Sequence, residues 1–124
     1  MSKNGLGKKN WIIPDCELPL PGEGVLKGHE SVIVVNDSDV RADIEVKIFY
    51  VDKDCDAKIR WTVEAGRVRC FRMNNVNDMD GYEIPVDTQY AMKVTSNTPI
   101  VLQYGRLDNR QTNLADYTTL GYAE

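Results

Sequence analysis

Asp43–Asp52, DIEVKIFYVD, decides the fold. Ile44, Val46, Ile48 and Tyr50 occupy every second position, and Asp43, Glu45 and Lys47 stand between them. Side chains of an extended chain alternate between two faces, so a period of two over this length describes a strand with one buried side and one wet side. Upstream, NDSD at Asn36–Asp39 has turn chemistry, and HESVIVVND before it, His29–Asp37, holds four consecutive β-formers. Downstream, Ala57–Val63 alternates again, with Ile59, Trp61 and Val63 opposite Lys58, Arg60 and Thr62. Glu64-Ala65-Gly66 then turns the chain into a strand over Val68–Met73. Thr88–Thr95 places Tyr90, Met92 and Val94 together, SNTP at Ser96–Pro99 reads as a further tight turn, and PIVLQYGRLDNRQ follows at Pro99–Gln111. Tyr117–Tyr122 reads as a last strand. Asp15–Gly28, with Pro19, Pro21, Gly22, Gly24 and Gly28, is a long connection. No segment carries a sustained helical period, although Leu107–Ala115 has room for a short helical turn. About eight short strands separated by turn residues predict an all-β protein, an antiparallel β-sandwich of jelly-roll-like type.

The 124 residues predict one domain at 11–124 behind a flexible tail at 1–10. A chain of this size buries roughly two-thirds of its unfolded surface and needs no metal or disulfide to hold its core. The 42% apolar and 27% charged composition is that of a soluble globular protein. A net charge of −4 argues against a whole-surface nucleic-acid binder. Cys16, Cys55 and Cys70 are odd in number and lack CxxC spacing, which argues against a disulfide framework or zinc site and fits a reducing cytoplasm. No apolar stretch approaches the ~18 residues of a membrane span, and no apolar core of signal-peptide length follows Lys3, Lys8 and Lys9.

Two strands break the half-wet pattern. Val32–Val35 and Ile100–Leu102 are apolar on both faces, whereas the outer face of an antiparallel sandwich normally meets water. Either loops or the N-terminal segment cover them, or they lie between subunits. The second alternative predicts a homo-oligomer.

The candidate contact residues gather in the polar end of the Pro99–Gln111 stretch. Arg106, Asp108, Arg110 and Gln111 set two guanidinium forks around one carboxylate, a chemistry suited to carboxylates, phosphates or sugar hydroxyls. The same groups also suit a pinned loop or a neighbouring subunit. Gln103 sits inside the preceding strand, and His29-Glu30 opens another. His29 is the only histidine, so a catalytic metal centre with several histidine ligands is excluded. Asp52, Asp54 and Asp56 lack the glycine and glutamate of a calcium loop. Lys58 and Arg60, with Arg67, Arg69 and Arg72, would form a basic strip beside Phe71 if their strands paired as a hairpin. The cysteines carry no local signature, and Ser31 and Ser38 fit no nucleophile elbow. These features predict a non-enzymatic protein without cofactor or metal.

The ordered set of residues resembles the sensory rhodopsin transducer family over Trp11–Tyr122. The resemblance is carried by Trp11 and the Pro-rich connection, His29-Glu30 to Asn36, Asp39 and Ala42, Ile48-Phe49-Tyr50, and Val63, Ala65 and Arg67. Ile84-Pro85, Tyr90-Ala91, PIVLQ, Arg106-Leu107-Asp108 with Arg110-Gln111, and Thr118, Thr119 and Tyr122 complete it. It implies a jelly-roll-like sandwich assembled as a tetramer, acting as cytoplasmic partner of a light-sensing membrane rhodopsin. The expected function is a soluble oligomeric binding and signal-transduction module, contacting a membrane sensor protein or a small polar ligand through Arg106, Asp108, Arg110, Gln111, Gln103, His29 and Glu30. The rivals are a lectin-like sandwich for a carbohydrate or small polar ligand, with Tyr104 as its aromatic platform, and a DNA-binding regulator using the basic strip.

Overall fold

The computed structural model describes residues 5–22, 24–108 and 115–124. Eight strands form among them: β1 (Lys8–Glu17), β2 (His29–Asn36), β3 (Ala42–Tyr50), β4 (Ile59–Val63), β5 (Arg67–Arg72), β6 (Gln89–Asp108), β7 (Ala115–Thr119) and β8 (Tyr122–Ala123). Every pairing is antiparallel. One layer runs β4-β3-β6-β1-β8, and the other sets β2 between β5 and β6, with β7 on the far side of β6. The inward residues of both layers make one core, including Ile13, Ile44, Ile48 and Met92 from the first and Val32, Val34 and Leu102 from the second. The all-β sandwich read from the alternating strands is the observed fold.

The layers share β6, which is 20 residues long. Its first half, Gln89–Ser96, pairs with β1 and β3, and its second half, from Val101, pairs with β2 and β7. The turn expected at Ser96–Pro99 does not form, and the strand runs straight through it. The polar side chains there serve a different purpose. Asn97 Oδ1 accepts the Asp43 N–H (2.7 Å) and its Nδ2 donates to the Arg41 carbonyl (3.2 Å). Ser96 Oγ accepts the Thr98 N–H (3.3 Å). These bonds stand in for ladder bonds where the strand exchanges one set of neighbours for another, and Pro99, which has no N–H to offer, falls at that changeover.

The first layer starts earlier than expected. Lys8 pairs with Ile100, and the Leu6 N–H donates to Asp37 Oδ2 (3.0 Å), so residues assigned to a flexible tail are already built into the sheet. Gly7, at φ +108°, makes this possible, because a Cβ there would lie 2.0 Å from the Ile100 carbonyl oxygen. At the other end, the single last strand expected over Tyr117–Tyr122 is two. β7 adds to the second layer and β8 to the first, and Gly121 between them passes so close to Ile12 that a Cβ would meet its carbonyl oxygen at 2.3 Å.

The basic strip does not form. β4 pairs with β3 and β5 pairs with β2, so the turn at Glu64–Gly66 carries the chain from one layer to the other instead of closing a hairpin. Arg60 is bound to Glu45 (2.8 Å), Arg69 donates to the Thr62 carbonyl (2.8 Å), and Phe71 is buried against Trp61 instead of standing free for a base. The doubly apolar strands, by contrast, are uncovered. Ile33, Val35 and Val101 lie on the outer face of the second layer, each more than a third exposed, and Val68, at 60%, is opposite Val35.

Candidate functional site

Glu30 is in phase with Val32 and Val34 on β2, so the strand that buries those valines also carries a carboxylate into the core. It is wholly buried. An ionised carboxylate there requires donors, and the fold supplies three. The Tyr90 hydroxyl donates to Oε1 (2.6 Å), the Tyr104 hydroxyl to Oε2, and the Glu17 N–H to Oε2 (2.9 Å). Tyr90 and Tyr104 come from opposite halves of β6, and Glu17 comes from β1, so this carboxylate ties both layers together. Arg106 caps the group. Its Nε donates to the Tyr104 hydroxyl (3.2 Å) and its Nη2 to the Asp15 carbonyl (3.3 Å), with the Asp15 carboxylate 3.8 Å away. The guanidinium lies 5.1 Å from the Tyr117 ring centre and 5.8 Å from that of Tyr104.

Burial raises the Glu30 pKa above its ordinary value of 4.5, and the bonds from Tyr104, Tyr90 and Glu17 and the charge of Arg106 oppose the rise. Burial, with the negative charge of Glu30 behind it, raises the pKa values of Tyr90 and Tyr104. The same two causes push the Cys16 thiol up, so it stays protonated and makes a poor nucleophile. A carboxyl whose pKa is higher folded than unfolded stabilises the fold fully below pH 4.5 and loses that contribution as pH climbs through the folded value. The neutral Glu30→Gln variant lacks this loss. Urea denaturation from pH 4 to 8 should show wild type losing stability relative to Glu30→Gln as pH rises, and a pH-independent difference would contradict the burial argument.

The residues expected at one contact surface divide between two sides of the second layer. Glu30 is not at a surface at all, because the strand phase that buries Val32 buries it too. Arg106 shares its inward side and is partly accessible at the sandwich mouth. His29 and Gln103 lie on the outer side, and His29 Nδ1 donates to the Lys27 carbonyl (2.9 Å). Asp108 ends β6. Arg110 and Gln111 lie outside the described residues. A shallow groove of about 390 Å³ nevertheless brings several together, with His29, Ser31, Gln103, Arg106, Asp116 and Thr118 in its walls. Tyr104 is fully buried and bonded to Glu30, so it offers no exposed platform for a sugar ring. Sequence reasoning left out Tyr90, Asp15 and Tyr117 as members of this group. The available signal was the phase: a glutamate at an inward position of an apolar strand demands inward donors, and Tyr90 and Tyr104 are inward tyrosines.

The sequence model of the Anabaena sensory rhodopsin transducer family matches residues 6–123. The chain belongs to that family. The crystal structure of Thermotoga maritima 1070 superposes on it with a TM-score of 0.79 at 28% identity, covering 95% of this chain and 96% of the other. The structure of the Anabaena sensory rhodopsin transducer itself matches with a TM-score of 0.72 at 36% identity, over 82% of this chain and 97% of that one. A comparison with curated proteins finds no match. The transducer family assignment thus spans both layers, the Glu30 group and the outer groove. No helix among the described residues is long and apolar enough to cross a membrane.

Proposed function

We propose that the chain is a non-enzymatic, cytoplasmic signal-relay module that assembles into a homo-oligomer, a tetramer by family resemblance, and docks a partner through the outer groove of its second layer. The observation that carries this reading is the transducer-family match over nearly the whole chain. The site chemistry agrees with it. Glu30 is committed to three donors and Cys16 is held as a thiol, so this buried group is locked into structure. Arg106 belongs both to that group and to the groove wall. A partner seated in the groove would press on β6 where it carries Arg106, and would pass a surface event through the Arg106 bonds to Tyr104 and Asp15 into the tie between layers. Asp108 closes β6 two residues beyond Arg106, and Arg110 and Gln111 lie outside the described residues.

Self-association uses the apolar half of the same outer face. Val68, Val35 and Val101 stand side by side on three adjacent strands, with Ile33 beside them. Light scattering on a sizing column should give a multimer at micromolar concentration, and Val35→Glu should give a monomer with an unchanged circular dichroism spectrum. A wild-type monomer would sink the assembly. For the partner, the test is binding to a sensory rhodopsin reconstituted in nanodiscs, with Gln103→Ala expected to weaken it about tenfold, the size of one lost charge-assisted hydrogen bond. The hydrogen-bonding groups of the groove also favour a second reading, a small polar ligand. A thermal-shift screen with sugars and organic acids separates the two. Stabilisation that vanishes in Gln103→Ala would select the small ligand over the protein partner.

A further inference from the structure

The outer face of the first layer carries an ordered row of side chains that the relay function does not use. Lys47 on β3 stands opposite Lys93 on β6, Lys93 opposite Ile12 on β1, and Ile12 opposite Tyr122 on β8. Lys58, one residue before β4, continues the row, since its neighbour Ile59 is opposite Val46. Three lysines therefore lie in line across adjacent strands, followed by an exposed isoleucine and a tyrosine that is 67% exposed.

Two grooves meet on this row. One, of about 370 Å³, has Lys47, Lys58, Arg60 and Lys93 in its walls with Glu45 and Asp56. The other, of about 300 Å³, has Trp11, Ile12 and Tyr122 with Glu124, whose carboxylate accepts the Tyr122 hydroxyl (2.7 Å) and leaves the ring face open, and Lys93 belongs to both. Arg60 and Glu45 satisfy each other at 2.8 Å, and among the described residues none of the three lysines has an ion-pair partner. Lys47 rests its ammonium 5.1 Å from the Phe49 ring, a contact its flexible stem can exchange for another. Like charges directly opposite on antiparallel strands are destabilising. The fold does not require them there, because outward positions accept any polar residue. The local excess of positive charge also runs against the net −4 of the chain.

We propose that this row binds a small phosphorylated molecule of mononucleotide size. The phosphate sits among Lys47, Lys58 and Lys93, which bind it as point charges and are relieved of their mutual repulsion. The flat body lies along Ile12 and stacks on Tyr122. With strands ~4.8 Å apart, Lys47 to Tyr122 spans roughly 14 Å, a distance a mononucleotide covers and inorganic phosphate does not. Stacking on an aromatic face is tolerant of which base is present, so the site selects phosphate plus a planar body and not one particular base. This site is on the opposite layer from the docking groove and stands or falls separately from it.

The test is titration of the ¹⁵N-labelled full chain with AMP, adenosine, inorganic phosphate and a single-stranded oligonucleotide. AMP should bind saturably with Kd below about 1 mM, and adenosine and phosphate at least about tenfold more weakly. The amide shifts should map to residues around Ile12, Lys47, Lys93 and Tyr122. Lys93→Gln should weaken AMP binding about tenfold, Tyr122→Ala should weaken AMP but not phosphate, and added salt should weaken both ligands. Absence of saturable AMP binding, AMP affinity unchanged in Lys93→Gln, or shifts confined to the second layer would overturn the proposal. So would oligonucleotide binding at these lysines that tightens with strand length and exceeds that of AMP, which would make the row a nucleic-acid surface.

Discussion

Replacing Glu30 by leucine is expected to cost the fold about 3–5 kcal/mol, the cost of leaving three buried donors without their acceptor. That is a large share of the ~5–15 kcal/mol that holds a domain together. Leucine fills much of the same volume, so the loss is not a cavity effect. It comes from the Tyr90 and Tyr104 hydroxyls and the Glu17 N–H, all of which lose their acceptor in the interior. Arg106 loses its indirect tie to the carboxylate through Tyr104 as well. Tyr90→Phe alone removes one bond and should cost only about 1–2 kcal/mol. The triple variant Glu30→Leu, Tyr90→Phe, Tyr104→Phe has no orphaned hydroxyl and should be more stable than Glu30→Leu by itself. Urea denaturation of the four proteins reads these differences directly. A Glu30→Leu protein within about 1 kcal/mol of wild type, or a triple variant less stable than the single one, would show that the carboxylate is not the tie between layers.

Much of this fold was legible because half-burial writes itself into sequence with a period of two. Ala42–Tyr50 and Ile59–Val63 show it cleanly, and both are strands with the expected residues inward. Ser96–Pro99 was misread for a physical reason. Ser, Asn, Thr and Pro suit a tight turn, and the same short polar side chains suit the gap in a ladder where a strand changes partners. Sequence also does not record which layer a strand joins. The three residues Glu64–Gly66 look alike whether they close a hairpin or cross from layer to layer, and the expected basic strip failed on that point. Of the site, Arg106, Glu30 and His29 were visible as residue types, but their sorting into an inward group and an outward groove depended on strand phase. Glu30 shares the phase of Val32, and a carboxylate on an apolar phase is the signature of a buried polar group rather than of a contact surface. The donors come from 13, 60 and 74 residues away, which no local pattern encodes.

The crossing at Glu64–Gly66 sets up the other large effect. Trp61 on β4 and Phe71 on β5 belong to different layers, yet their rings stack 4.2 Å apart and within 4° of parallel. Trp61 Nε1 also donates to the Asp78 carbonyl (2.7 Å), which anchors the segment after β5. Both rings are buried. β4 and β5 are edge strands, each held by a ladder on one side only, so side-chain packing supplies much of what fixes the closed end of the sandwich. Trp61→Ala removes the ring, the stack and the anchor together and should cost about 3–5 kcal/mol, as is usual for a buried aromatic cut to alanine. Trp61→Phe keeps a ring against Phe71 but loses the bond to Asp78, so its cost should fall well below that, nearer ~1–2 kcal/mol. The order of the two variants is the informative quantity in chemical denaturation. If Trp61→Phe proved as damaging as Trp61→Ala, the Asp78 bond would be fixing this end of the sandwich, and the ring stack between the layers would count for little.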